Sequence, residues 1–148
     1  MKNKPLTDKE FKYIYSKVPR LCVDVIIKTP QGVALTLRDI EPYKDFWHIP
    51  GGTVYYGETI EAAAQRVARE ELGVEVAVGA VAGFVEYPRE QKLRGWGWTI
   101  SLEVYCSVRS GKPSTDKQAR GIRFFKQYRD LPPNVVIEQK KFLEKILK

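Results

Sequence analysis

The hydrophobic and polar positions of the chain fall into blocks of two kinds. RLCVDVIIK, beginning at Arg20, and VALTLR, beginning at Val33, are dense in β-branched and apolar residues. Thr29-Pro30-Gln31-Gly32 between them is a turn sequence, so the pair predicts a hairpin. Residues 74–81 and 82–87 read as two further strands. TISLEVYCSV, beginning at Thr99, partly alternates apolar and polar positions and predicts another, and residues 121–125 add a short last one. Residues 87–98 are left as a loop.

Three segments carry a helical period instead. Thr7-Asp8-Lys9-Glu10 forms a capping box that opens a helix to about Lys17. Residues 60–72 are rich in alanine, follow Thr59 as a cap and precede Gly73, which supplies the left-handed exit a helix end favours. Near the C-terminus, over about 135–147, Val136, Ile137, Phe142, Leu143, Ile146 and Leu147 recur among lysines at roughly helical spacing, which predicts an amphipathic helix packed on the body. Strands interleaved with helices make this an α/β chain, and its 148 residues are expected to form one domain.

Composition narrows the class. No apolar run approaches the roughly 20 residues a membrane helix requires, and MKNKPLTDKE is too polar for a signal peptide. The expectation is a cytoplasmic protein with no membrane association, in which Cys22 and Cys106 are buried, reduced thiols. A net charge of +7 raises nucleic-acid binding as a rival function. The lysines gather at the two ends of the chain, which is the pattern of a solvated face, so a nucleic-acid partner is not expected.

The candidate chemistry lies in GGTVYYGETIEAAAQRVAREELGV, residues 51–74. Glu70 and Glu71 are adjacent in the last turn of the helix, with Arg66 one turn before Glu70 on the same face. Carboxylates at a helix C-terminus oppose its dipole and call for a compensating cation. A divalent ion is one compensator and Arg66 with Arg69 is another, so spacing alone leaves a metal site and a solvated acidic turn both open. Asp24, inside an apolar strand, is costly to bury unless it is paired or faces a pocket; a pocket acceptor and a buried ion pair with an arginine both answer that cost. His48 is the only histidine. Its place in an apolar strand beside Trp47 suits a structural imidazole. In REQKLRGWGW, beginning at Arg89, basic and aromatic side chains come together. Trp96 and Trp98 there suit either core packing or stacking on a nucleotide as a specificity lid.

Residues 52–74 resemble the signature of the Nudix hydrolases, with Gly52, Glu58, Arg66, Ala68, Glu70, Glu71, Gly73 and Val74 in register and Trp47-His48-Ile49-Pro50 similar to the apolar lead-in. The resemblance implies an α/β/α sandwich with a mixed central β-sheet. It implies Mg²⁺, with Mn²⁺ as the alternative ion, held by Glu70, Glu71 and the carbonyl of Gly51, while Gly52 and Glu58 support the site and Arg66 orients a carboxylate. The expected activity is hydrolysis of a nucleoside diphosphate linked to another moiety, such as a nucleotide sugar, an ADP-ribose-like compound or a nucleoside triphosphate, with water attacking phosphorus. One departure is Val67, where the family carries a glutamate; it implies fewer ions, and it is also what a catalytically silent member would show.

GDP-mannose mannosyl hydrolases, a branch in which water attacks the sugar carbon, lack that same glutamate. Asp24 and Arg38 fall where the branch places substrate contacts, and Gln118 where it places a metal-binding glutamine. Thr53 and Ala119 replace its arginine and its histidine base. The base is then expected from a loop carboxylate, Asp116 ahead of Glu86 and Glu90. The family also implies a homodimer formed through the N-terminal segment.

Overall fold

A computed structural model describes residues 4–115 and 119–148. Helix α1 (Asp8–Tyr15) opens with the expected capping box: the Thr7 hydroxyl accepts from the Glu10 N–H, and the Glu10 side chain accepts from the Thr7 N–H. Strands β1 (Arg20–Thr29) and β2 (Gly32–Arg38) form the hairpin. The short strands β3 (Trp47–His48) and β4 (Gly51–Thr53) lead into helix α2 (Ile60–Leu72), capped by Thr59 and closed by Gly73 at φ 68°, as the sequence predicts. Then come β5 (Glu75–Glu86), α3 (Glu90–Arg94), β6 (Thr99–Ser110), β7 (Ala119–Phe125) and α4 (Ile137–Ile146).

Some expectations change. The two strands predicted over 74–87 are one strand, whose register against β6 slips around Val78, Val81 and Gly83. The 87–98 loop contains the turn of helix α3. The strand predicted over 121–125 starts at Ala119, which pairs with Arg38. The last helix begins at Ile137 because Val135 and Val136 are extended alongside Trp47.

The seven strands make one mixed sheet ordered β3-β2-β1-β6-β5, with β4 paired to β1 and β7 to β2. β1 is its spine: it runs parallel to β6 along nearly its whole length. On its other side it pairs with β4 at residues 22–24 and with β2 at residues 28–29. Side chains alternate along a strand. Val23, Val25 and Ile27 therefore pack with Ala63, Ala64, Val67 and Leu72 of α2, whereas Ile26 lies with Leu35, Trp47, Phe142 and Leu143 on the α4 side. This is the two-layered core of an α/β/α sandwich. Cys22 and Cys106 are buried free thiols. Among the described residues no helix is long and apolar enough to cross a membrane.

The β1–β6 register also sets Asp24 beside Glu103, both buried. Asp24 accepts from the Tyr87 hydroxyl at 2.8 Å and from Gln139 Nε2 at 3.4 Å. Among the described residues neither Glu103 carboxyl oxygen has a hydrogen-bond partner. Burial, reinforced by the charge of Asp24, pushes Glu103 up to about 12, and burial raises Asp24 as well, so the pair keeps a proton.

Two measurements check this packing. Leu143→Ala removes a fully buried side chain and should cost about 2–5 kcal/mol in urea unfolding with the slope m unchanged. For Glu103 the raised pKa means that folding takes up a proton. Its stability is complete below the unfolded value of about 4.3 and is lost progressively as pH rises toward the folded value. Glu103→Gln places an amide donor beside Asp24 without that cost. Its melting temperature should exceed the wild type at pH 8 by about 3 °C or more, with about 1 kcal/mol worth about 2–4 °C in a chain of this size, and the gap should close at pH 4. A variant less stable than the wild type at pH 8 would refute the shared proton.

Candidate functional site

The loop from β4 into α2 turns at Gly57, whose φ of 84° opens onto free space. It brings Glu58 back over the first half of the helix, where Glu58 accepts the Tyr55 N–H at 2.8 Å. Arg66 closes this arrangement. Its Nε and Nη2 grip Glu58 at 2.7 and 2.9 Å, Nη2 also reaches the Thr53 carbonyl at 2.6 Å, and Nη1 reaches Glu70 at 3.3 Å. The guanidinium lies 3.7 Å from the centre of the Tyr55 ring. The two-pronged grip, aided by the Tyr55 N–H, holds the Glu58 carboxyl below its ordinary range. Arg66 thus orients both carboxylates that the sequence offered it.

Glu70 and Glu71 open onto a cavity of about 580 Å³ whose lining includes Asp24, Arg38, His48, Gly51, Gly52 and Arg66. The glycines are needed for close packing. A Cβ on Gly51 would fall 2.0 Å from Asp24 Oδ1 and 2.6 Å from the Val23 carbonyl, and one on Gly52 would fall 3.1 Å from Val67 Cγ2. Val67, at the position of the family glutamate, is buried in the α2-side core beneath Gly52. Among the described residues no three His, Cys, Asp or Glu side chains gather into a metal cage. The donors that do face the cavity, the Glu70 and Glu71 carboxylates beside the Gly51 backbone, are hard oxygens. They fit a magnesium ion that keeps several of its waters rather than an all-protein cage.

Asp24 and Arg38 both face the cavity. The arginine partner considered for Asp24 is absent among the described residues, and a phenol and an amide stand in its place. Arg38 is anchored through Nε to the Pro42 carbonyl at 2.7 Å. Burial lowers its pKa most, the charges of Arg20 and Arg94 lower it further, and Glu71 raises it. His48 lines the cavity too, and burial next to Arg38 holds its imidazole well below the usual histidine range, hence neutral.

Trp96 and Trp98 do not line the cavity. Trp96 packs edge-on against Phe11 of α1, with ring centres 6.0 Å apart, and Arg94 stacks on its other side. Trp98 is exposed and contributes its carbonyl to the Arg20 N–H. Of the loop carboxylates, Glu86 is exposed at the end of β5, and Glu90 is buried between Arg20 and Arg94. Asp116 and Gln118 lie outside the described residues.

Sequence reasoning missed Arg20, Tyr87, Glu103 and Gln139. The signal was present for two of them: Glu103 and Gln139 are polar residues on buried phases of a strand and a helix. Nothing local marks Arg20, whose partners Thr53, Glu90 and Thr99 are remote in sequence.

The chain is 42% identical over 88 residues to the low-salt glycan biosynthesis protein Agl8 of Haloferax volcanii, covering 57% of this chain and 56% of that protein. It is 31% identical over 114 residues to the ADP-ribose pyrophosphatase of Methanocaldococcus jannaschii, covering 77% of this chain and 66% of that one. The matches thus span less than two thirds of either curated relative. In fold it resembles the MutT NUDIX hydrolase of Burkholderia pseudomallei, with a TM-score of 0.76 at 20% identity over 89% of this chain and 100% of that one. It also resembles an ADP-ribose pyrophosphatase of Streptococcus suis, with a TM-score of 0.63 at 18% identity over 87% and 92% of the two chains. A family model described as NUDIX domain matches residues 18–146, and the chain belongs to that family.

Proposed function

We propose that this Nudix domain is a Mg²⁺-dependent hydrolase of a nucleoside diphosphate linked to a further group, with water attacking phosphorus. The observation that carries the reading is the adjacent pair Glu70 and Glu71 facing the cavity, with Glu70 braced by Arg66. Glu70, Glu71 and the Gly51 carbonyl would hold the ion, with Mn²⁺ as its substitute and Gln118 as a further ligand from outside the described residues. When bound, the metal neutralises the diphosphate and lowers the pKa of a water molecule. Arg38 contributes positive charge to the diphosphate, and Asp24 accepts hydrogen bonds from the attached group.

His48 is kept neutral by its surroundings and is for that reason a weak proton acceptor near pH 7. We assign the general base to Asp116. A homodimer through the N-terminal segment and a cytoplasmic location complete the reading. A second reading, attack at the sugar carbon, is favoured by the identity to a glycan biosynthesis protein and by Val67, the feature shared with the mannosyl hydrolases.

Glu70→Gln and Glu71→Gln should each lower Mg²⁺ affinity and turnover by roughly 100-fold or more, since even the outer residues of metal sites are worth about 10–100-fold. Melting temperature should hold or rise, because each change removes a negative charge from a helix C-terminus. Unchanged turnover in both variants would remove the metal assignment. Hydrolysis of nucleoside triphosphates, ADP-ribose and nucleotide sugars in ¹⁸O-labelled water separates the two routes. Label on phosphate supports the first, and label on the sugar supports the second.

A further inference from the structure

The cavity has two ends of opposite charge. At the α2 end, Glu70 and Glu71 line the cavity beside one guanidinium, that of Arg66, which is paired with Glu70 and with Glu58 behind it. Around α3 the balance reverses. Glu90 is buried and receives the Thr99 hydroxyl at 2.7 Å, Arg94 Nη2 at 2.9 Å and Arg20 Nη2 at 3.5 Å. Arg38 is close enough for its charge to be opposed by both Arg20 and Arg94. Arg20 and Arg94 therefore share one carboxylate, that of Glu90, and the Arg38 charge nearby is answered by Glu71, while Lys4, Asp8 and Glu41 sit on the exposed rim, where solvent screens them. Buried guanidinium charge is costly unless an anion answers it, and among the described residues Arg20 Nε is buried with no hydrogen-bond partner.

The cluster is also rigid before anything binds. Arg20 is fixed by the Thr53 hydroxyl at 2.9 Å and the Thr99 hydroxyl at 3.1 Å, with Phe11 over its guanidinium. Arg94 is fixed by the Trp96 carbonyl at 3.2 Å and by the Trp96 ring, 3.8 Å from its guanidinium. Thr53 joins the two ends, its carbonyl on Arg66 and its hydroxyl on Arg20. Cationic groups held in place in this way favour an anion without an ordering cost.

We propose that Arg20 and Arg94, bridged by Glu90, form a second anion subsite in the cavity, which takes a phosphate or carboxylate carried by the substrate beyond its metal-held diphosphate. The proposal rests on the reading that the cavity holds a diphosphate compound, and it narrows the substrate class to compounds with a further negative group.

Binding of inorganic phosphate and of acetate to the full chain in EDTA, followed by the side-chain Nε–H resonances of arginine, tests the subsite without metal or turnover. Saturable shifts of Arg20 and Arg94 with either anion are expected, and the stronger of the two identifies the group. Arg94→Gln and Arg20→Gln should each weaken binding at least tenfold, and Arg94→Lys should recover part of it. Glu70→Gln should bind at least as tightly as the wild type while losing hydrolysis, which separates failure of the subsite from failure of the metal site. Should Arg20→Gln not fold, Arg94→Gln decides. Absence of saturable binding in the wild type, or undiminished binding in Arg94→Gln, overturns the proposal.

Discussion

The guanidinium of Arg66 holds the strand β4 carbonyl of Thr53, the loop carboxylate of Glu58 and the helix carboxylate of Glu70 in one frame. Hydrogen bonds to charged groups are worth about 1.5–3 kcal/mol each, enough to fix a loop that otherwise turns on an unrestrained glycine. Without that grip Glu70 and Glu71 would still end helix α2, but Glu70 and the loop at Glu58 would lose their common tie to strand β4. Glu70, one of the proposed metal donors, is thus braced by a residue outside the proposed donor set.

A second constraint works beneath the first. Asp24 occupies the space a side chain at Gly51 would need, and Tyr87 and Gln139 hold Asp24 in turn. The polar cluster inside the α4-side layer therefore sets the position of the β4 backbone at the cavity floor. Core and site are continuous here, so a buried strand residue such as Glu103 bears on the floor without facing substrate.

Much of this was legible in the sequence because it is local. The cap at Thr59, the left-handed exit at Gly73 and the capping box at Thr7 each depend on residues a few positions apart. The signature spacing likewise places Arg66 within reach of Glu58 and Glu70 on one helix and its preceding loop. What escaped was set by register. Asp24 and Glu103 meet only because β1 and β6 run parallel, and no local pattern specifies that pairing. For the aromatic-basic segment composition left core packing and ligand stacking both open, and only the fold places Trp96 against Phe11 of α1 and leaves Trp98 exposed with its carbonyl on Arg20. Glu90, weighed as a base, is occupied as the counter-ion of two arginines.

On one flank β1 has the same neighbour throughout, and on the other it changes partner from β4 to β2 along its length. The segments that follow those two partners, 54–59 after β4 and 39–46 after β2, both border the cavity; among the described residues the backbone tie of either to β1 is the single bond from the Val54 N–H to the Leu21 carbonyl. Insertions or exchanges in the 39–46 arm, or at residues 55–57 between the Val54 and Glu58 anchors, would reshape what the cavity admits while leaving the central ladder in register, so new ligand preferences are open to the fold at little risk to its folding.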